Sequence, residues 1–187
     1  GANDDNGARL TINDSTVTCN GDVTVNAGAA AANGAVFFSD PTTFMFEDGT
    51  TFSVGAFASV TLEEVTFTTV ANDDAYDVTV ASNATLFSML ESSMTTNGNA
   101  GGLDIELGGT SLSLVRSTFS NYDATGVAIV GGSTLTAFNE CSFTSGQPAG
   151  AHITLGLGAG TILNATDLNA DNNTFDASIT TGLYVDA

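Results

Sequence analysis

The chain has 187 residues, of which 42% are hydrophobic, so it is long enough for one domain with a sizeable core. Its charge is strongly one-sided, with 21 Asp plus Glu against 2 Lys plus Arg and a net charge of −19. This balance excludes nucleic acids and anionic membrane surfaces as partners, since both are bound through Lys and Arg, and no apolar run reaches the roughly 20 residues that a membrane span requires.

Residues 1–50 are predicted to form irregular or capping coils at the N-terminus. The opening residues 1–6 resemble a processed N-terminus, and the abundance of Gly, Thr, Ser and Asn is typical of a secreted or surface-displayed chain. Residues 27–33 are rich in Ala and Gly and would form a loop or a short helix. Strand-like segments occur at 8–12, 22–25, 36–38 and 44–46. Their pattern is less regular than the one that follows, as is usual for terminal repeats.

From residue 51 onward the sequence repeats itself about every 25 residues, which is a period typical of solenoids. Each copy has a short alternating strand, a turn containing Gly or Ser, and a second strand that ends in Ser/Thr-Phe. Copies begin at residues 51, 76, 102, 126 and 151, and another opens at Gly182-Leu183-Tyr184-Val185. The fixed spacing predicts one continuous domain over residues 51–187.

A unit of this length with only short strands cannot bury its own apolar face, but stacked units can. We therefore predict an all-β parallel β-solenoid in which strands of successive coils pair about 4.8 Å apart. Like residues would then stack inside it, with an aromatic ladder of Phe67, Phe119 and Phe143 and an aliphatic one of Leu112 and Leu135, and Leu114 also buried. The alternative is an antiparallel β-sandwich, which explains short strands with frequent turns but has no reason to repeat at a fixed period.

Four phrases carry the repeat most clearly: Ser117-Thr118-Phe119-Ser120-Asn121, Gly126-Val127-Ala128-Ile129, Ser133-Thr134-Leu135-Thr136 and Cys141-Ser142-Phe143-Thr144. They resemble the right-handed parallel β-helix repeats of the pectin-lyase-like superfamily. Within it, they are similar to the Gly-Gly-Ala-Ile and Phe-x-x-Asn repeats of polymorphic outer-membrane proteins and related adhesins. Two differences are that Gly-Val-Ala-Ile replaces Gly-Gly-Ala-Ile and that Phe119-Ser120-Asn121 is one residue short. The resemblance covers residues 51–187 and implies a right-handed β-helix outside the cell.

Cys19 and Cys141 each alternate with apolar neighbours and are predicted to be buried thiols. In a solenoid they would lie on the order of 24 Å apart, whereas disulfide Cα atoms lie within ~7 Å, so no bond between them is expected. Four glycosylation sequons would be used only in exposed loops of a secreted protein. They begin at Asn13, Asn83, Asn164 and Asn172.

A catalytic site would have to be built from carboxylates or from a lone histidine. Glycoside hydrolases need two carboxylates facing each other across the scissile bond. The candidate acids are Asp73, Asp74, Asp104, Glu106 and Asp123. All are predicted on outward strand or turn positions, and His152 has no recognisable nucleophile beside it. We therefore predict no catalytic residue and no cofactor.

Residues 167–176 resemble the first half of a calcium loop, since oxygen ligands stand at Asp167, Asn169 and Asp171. The Gly required at the sixth position is replaced by Asn172, and the final Glu by Ser178. Because a polar turn explains the same residues, no metal site is predicted and the two readings stay open.

Thr-x-Thr pairs occur at Thr16–Thr18, Thr66–Thr68 and Thr134–Thr136. Flat arrays of such pairs on a solenoid can bind ice. Here the pairs do not recur in every copy of the repeat, so we predict that no array forms.

These features predict a non-enzymatic structural or adhesive protein that is extracellular or on the cell surface, with a glycan or another surface as a further partner. The copy opened at Gly182 would leave strand edges unpaired, and such edges pair with other chains unless Lys, Pro or a covering helix blocks them. We expect end-to-end stacking into a filament, or a section of a longer surface solenoid. The alternative is a carbohydrate-active β-helix enzyme or a glycan-binding module.

Overall fold

The computed structural model describes residues 9–27, 36–72, 74–98, 101–144, 151–156, 162–163, 174–175 and 181–186. Within these ranges the regular elements are all strands, and every strand pair is parallel. This arrangement is a parallel β-solenoid. It confirms the predicted fold class and excludes the antiparallel sandwich.

Nineteen strands are described, most of them five residues long or shorter. They are β1 Arg9–Cys19, β2 Val23–Val25, β3 Val36–Phe46, β4 Thr50–Val54, β5 Ser59–Glu63, β6 Val65–Thr69, β7 Tyr76–Val80, β8 Leu86–Leu90, β9 Ser93–Met94, β10 Leu103–Leu107, β11 Leu112–Val115, β12 Thr118–Ser120, β13 Tyr122–Ile129, β14 Thr134–Asn139, β15 Ser142–Thr144, β16 Ala151–Gly156, β17 Ile162–Leu163, β18 Thr174–Phe175 and β19 Thr181–Asp186. The short strands follow from the turn residues that interrupt each repeat.

Each turn of the chain adds one strand to each of three stacks. The seven-stranded sheet has the order β19-β16-β13-β10-β7-β4-β2. A larger sheet consists of two ladders joined through β1 and β3, because both halves of β1 pair with β3. The first ladder runs β1-β3-β5-β8-β11-β14-β17, and the second runs β1-β3-β6-β9-β12-β15-β18.

The core is built from inward residues that lie directly over one another. In the second ladder, Phe67 pairs with Met94, which pairs with Phe119, and Phe119 pairs with Phe143. All four side chains are fully buried, and the rings of Phe119 and Phe143 stack with centroids 5.0 Å apart. The predicted aromatic ladder is therefore confirmed, with Met94 in place of a ring in one turn.

The first ladder contains the predicted aliphatic stack. Leu112 pairs with Leu135, and on its other side with Phe87. Leu114 is also buried and pairs with Met89 and Phe138. Each Å² of apolar surface that these columns remove from water stabilises the fold by roughly 25 cal/mol. This burial is the main favourable contribution to the stability of the stack.

The stack includes the strands of the first 50 residues. β1 lies in register on β3, and β3 lies in register on β5 and β6. β2 likewise pairs with β4. The same sheets thus run continuously through residue 50, while most of the Ala/Gly stretch at 27–33 lies outside the described residues.

The corner between the two ladders is formed by non-glycine residues in the left-handed conformation. They form what we call the corner column: Asp14, Glu64, Glu91, Arg116 and Glu140, with φ between 46° and 57°. The residue that follows Glu64, Glu91, Arg116 and Glu140 is buried in each case. Ser92 Oγ donates to Leu90 O at 2.8 Å and accepts from Val65 N at 3.0 Å, so one hydroxyl links two turns.

The corner after the seven-stranded sheet is tighter and depends on glycine at one position. A Cβ on Gly108 would lie 2.5 Å from Val80 O and 2.8 Å from Ala81 O of the preceding turn. Contacts this short are with backbone atoms, which cannot rotate away. Any larger residue at this position would push its own turn away from the preceding one, so only glycine fits.

We expect Phe119→Ala to lower the free energy of unfolding by ~3–5 kcal/mol, because it leaves a cavity in a column with a ring on one side and Met94 on the other. Thr118→Ala, on the outer face of the same strand, should change it by no more than about 0.5 kcal/mol. Urea denaturation followed by circular dichroism measures both. A loss below about 1 kcal/mol for Phe119→Ala would contradict the buried ladder.

Gly108→Ala should destabilise the fold by about 1–3 kcal/mol, because its methyl group overlaps the backbone of the turn below. Gly21→Ala is the matched control, since a Cβ there meets no atom within 4 Å. Thermal unfolding of both variants tests the comparison. Equal melting temperatures would show that the corner is not as tight as described.

Candidate functional surfaces

Carboxylates of successive turns stand side by side on the outer face of the seven-stranded sheet. Asp104 pairs directly with Asp77, and Asp123 follows Tyr122, which pairs with Leu103. We call Asp77, Asp104 and Asp123 the acidic column. Partial burial raises the pKa of Asp104, and the charges of Asp123, Asp77 and Glu106 raise it further. Partial burial also raises the pKa of Asp77, with added contributions from Asp123 and Asp22.

The predicted acids separate into two groups. Asp104, Glu106 and Asp123 share this outer face, as their alternation with apolar residues predicted. Asp74 is elsewhere, where its Oδ2 accepts from Ala71 N at 2.8 Å and closes a turn, and Asp73 lies outside the described residues. The sequence reading missed Asp77. Its alternation with Tyr76 and Val78 matches that around Asp104 and would have identified it.

Neighbouring carboxylates on one sheet repel one another and attract cations, and they disfavour an anionic polymer at this face. Among the residues that the structure describes, no group of three or more His, Cys, Asp or Glu is placed to hold a metal ion. The calcium-like segment 167–176 lies outside the described residues apart from β18. The acidic column is thus assigned no metal.

The histidine and the sequon asparagines identified in the sequence lie at separate positions. His152 lies in β16, where its surroundings are not among the described residues. Asn13 is exposed in β1, and Asn83 is exposed in the turn before β8, where its carbonyl accepts from Phe57 N. The sequon at Asn83 is therefore on an accessible turn. The sequons at 164 and 172 lie outside the described residues.

Both cysteines are buried and form no disulfide, and they lie at distant positions in the stack. Cys19 pairs with Phe46 near one end, whereas Cys141 immediately precedes β15. Cys141 occupies the corner position that Ser92 and Ser117 hold in earlier turns, and its Sγ lies 3.5 Å from Asn139 O. Burial raises the pKa of Cys141 to about 11, with Glu140 adding to the rise. A thiol with that pKa is protonated at neutral pH and is a poor nucleophile.

Arg116 is the one cation of the corner column. Its Nε donates to Glu91 Oε1 at 2.8 Å across one turn of the stack. Both side chains are about half exposed, at 46% and 45%, so the pair contributes ~0–1 kcal/mol at most. The ion pair acts locally, because the positive charge of Arg116 reduces the repulsion between neighbouring acids of the corner column. It does not form a binding site.

The N-terminal end of the stack leaves part of the core open. Leu10, Ile12 and Val17 are opposite the inward positions of β3, yet Leu10 is 54% exposed and the other two are half-buried. A pocket of about 210 Å³ opens there between Leu10 and Phe37. Within the described residues, β1 pairs only with β3, and β2 only with β4. Among the described residues, this end therefore presents apolar side chains and the outer edges of β1 and β2.

The outer face of the second ladder carries hydroxyl groups in two columns, contrary to the expectation that no array forms. Strict Thr-x-Thr pairs do not recur, but Ser replaces Thr in several turns, and parallel pairing brings them into register. We call these residues the hydroxyl array. The first column is Thr16, Thr43, Thr66, Ser93, Thr118 and Ser142, and the second is Thr18, Thr68, Thr95, Ser120 and Thr144, with Met45 between Thr18 and Thr68. Thr134 and Thr136 lie in the first ladder instead.

No protein-family model, curated protein or solved structure matches the chain. The described residues also contain no helix with the length and apolar character that spanning a membrane requires. The described residues form three surfaces of different chemistry. They are an apolar end, an acidic outer face and an uncharged hydroxyl face.

Asp104→Asn should stabilise the protein at pH 7. The folded state holds the pKa of Asp104 above its unfolded value of about 3.9, so ionisation at higher pH favours the unfolded state. The penalty appears as pH rises from the unfolded pKa through the folded pKa, persists at neutral pH, and is absent below both values. Because the residue is exposed, we expect a gain of about 0.5 kcal/mol or less at low salt.

Thermal unfolding of Asp104→Asn and the wild type at pH 7 and near pH 3 measures this difference. Glu47→Gln is the control, since Glu47 is an exposed acid outside the acidic column. A stabilisation of equal size at both pH values would contradict the assigned repulsion.

Proposed function

We propose that this protein is a non-enzymatic, extracellular or cell-surface structural or adhesive element. It would be a subunit that stacks end to end into a filament or a section of a longer surface solenoid. The observation that carries the proposal is the continuity of the inward columns, which stay apolar from β1 and β2 to Leu135, Phe143 and Ile153, the last positions whose side chains the structure describes. A stack with such columns extends without limit if another turn is supplied at either end.

The two ends carry apolar residues at equivalent positions of the backbone register. At the N-terminal end the inward register positions include Leu10, Val17 and Val23. At the other end, the positions in the same three columns are Leu163, Phe175 and Leu183. A second copy placed above the first would continue each column with an apolar residue and would pair parallel strand edges. Such a contact is heterologous, and it propagates into a filament rather than closing.

The charge distribution supports contact at the ends rather than along the sides. The net charge of −19 opposes side-by-side association, and the acidic column places part of it on a lateral face. Within residues 9–27, the N-terminal end carries the exposed apolar Leu10 together with two acids, Asp14 and Asp22, and the cation Arg9. A resemblance of the repeats to those of pectin-lyase-like β-helices and outer-membrane adhesins also supports a right-handed, surface-displayed solenoid that contacts a glycan or another surface.

A second proposal, a carbohydrate-active enzyme or a glycan-binding module, has one supporting observation. The acidic column brings Asp104 next to Asp77 and Asp123 on one accessible face. The carboxylates of a glycosidase face each other across a bond, whereas these project from neighbouring strands of the same sheet. Turnover of a polysaccharide that Asp104→Asn abolishes would favour this proposal over the structural one.

End-to-end stacking is tested with charge at the open end. Leu10→Asp should leave a folded protein, because Leu10 is 54% exposed, but it places a charge where the next copy would pack. We expect sedimentation and negative-stain images to show rods for the wild type and single subunits for Leu10→Asp. Deletion of residues 182–187, which removes most of β19, should also block growth.

Thr11→Asp is the matched control, since Thr11 is an exposed neighbour on the outer face of the same strand. It should assemble as the wild type does. Rods in the Leu10→Asp sample, or a wild type that stays monomeric at every concentration, would refute stacking by separate copies.

A further inference from the structure

The hydroxyl array repeats in two directions. Along the stack, Thr66, Ser93, Thr118 and Ser142 follow one another at the strand spacing of about 4.8 Å. Across it, the two columns are two residues apart in each strand, or roughly 6.7 Å. Each of these side chains is exposed or half-exposed. The result is a regular grid of hydroxyl and methyl groups open to solvent.

The face that carries the array is regular. The pairs β3–β6, β6–β9, β9–β12 and β12–β15 run without a register shift. By contrast, β10–β13 and β11–β14, which belong to the other two faces, each contain a shift. Directly beneath the array lies the buried column of Phe67, Met94, Phe119 and Phe143, whose packing fixes the backbone of the outer residues.

Neighbouring hydroxyls are held within the grid by contacts between turns. Ser120 Oγ donates to Thr95 Oγ1 at 2.7 Å, and Ser93 Oγ donates to Thr66 Oγ1 at 3.3 Å. These contacts orient the hydroxyl groups while leaving each one with capacity for a further hydrogen bond. The array is thus preorganised for a partner.

The two columns of the array are uncharged. The chain carries 21 acidic residues, yet neither column contains one. The corner column, with Glu64 and Glu91 two residues before Thr66 and Ser93, borders the array, and further acids lie on the seven-stranded sheet. Uncharged columns on so acidic a protein match a partner that is itself uncharged.

We propose that the hydroxyl array binds the surface of ice. A face that repeats in two directions is matched by a partner that does the same, which is a crystal rather than a soluble ligand. The oxygen atoms of hexagonal ice repeat along one lattice axis at close to the spacing of β-strands. Hydroxyls can take the place of lattice waters in hydrogen bonds, and the threonine methyl groups fill the spaces between them.

Crystalline polysaccharide is the other periodic, uncharged partner, and the face lacks what it requires. Sugar rings pack on exposed aromatic side chains, but the rings of the second ladder, including Phe67 and Phe119, are turned into the core. The chain also has no tryptophan. The array therefore favours ice. This site stands independently of end-to-end stacking, although stacking would lengthen it.

Ice binding is tested with Thr118→Tyr, which places a bulky ring in the middle of the first column at an exposed position. Thr79→Tyr makes the same change at an exposed position of the seven-stranded sheet. We expect the wild type to shape a single ice crystal, to delay its growth below the melting point and to be enriched in a growing ice hemisphere. Thr118→Tyr should lose most of these effects, and Thr79→Tyr should keep them.

Circular dichroism confirms that both variants are folded, and Leu10→Asp should retain ice shaping whether or not subunits stack. Met45→Thr completes the second column and should strengthen the growth delay. Unshaped crystals with the folded wild type, or equal losses in both tyrosine variants, would refute the proposal. Retention of the wild type on cellulose or chitin without any effect on ice would assign the array to polysaccharide instead.

Discussion

Parallel backbone pairing from one turn to the next is the constraint on which the rest of the structure depends. It places each residue directly over its equivalent in the preceding turn, as Phe119 lies over Met94 and under Phe143. Stacked apolar residues then exclude water cooperatively, because each turn is covered on both sides. The stability of one turn is therefore inseparable from that of its neighbours.

The same pairing also places polar residues of one type next to each other in successive turns. Whether this stabilises or destabilises the fold depends on the chemistry of the side chain. Hydroxyls benefit, since Ser92 at the corner donates within its own turn and accepts from Val65 N of the preceding turn. Neighbouring carboxylates repel one another: partial burial raises the pKa of Asp104, and the charges of Asp123 and Asp77 on the same outer face raise it further. The fold tolerates this repulsion because the charges remain near water, where their interaction is weak. Outer faces are thus free to differ, as the acidic column and the hydroxyl array do.

The repeat period made the core largely predictable. Phe67, Phe119 and Phe143 share a Ser/Thr-Phe phrase, and that phrase marks the inward position of the second ladder. Met94 was missed because its turn lacks the phrase. The hydroxyl array was missed for a related reason, since a search for strict Thr-x-Thr treats Ser93 and Ser142 as breaks although a serine keeps the hydroxyl in place. Asp77 was missed although its alternation with Tyr76 and Val78 marks it as outward, but its place beside Asp104 follows only from the register of β7 and β10.

The sequence by itself determined the class of fold, the inward residues of each strand and the one-sided charge. Alternation and period suffice for these, because side chains of a strand point to opposite faces in turn. Only the tertiary structure decided which side chains of different turns become neighbours. Register is set by corners such as that at Gly108 and by shifts such as that between Leu112 and Ser113, and a slip of one residue exchanges the two faces of a strand.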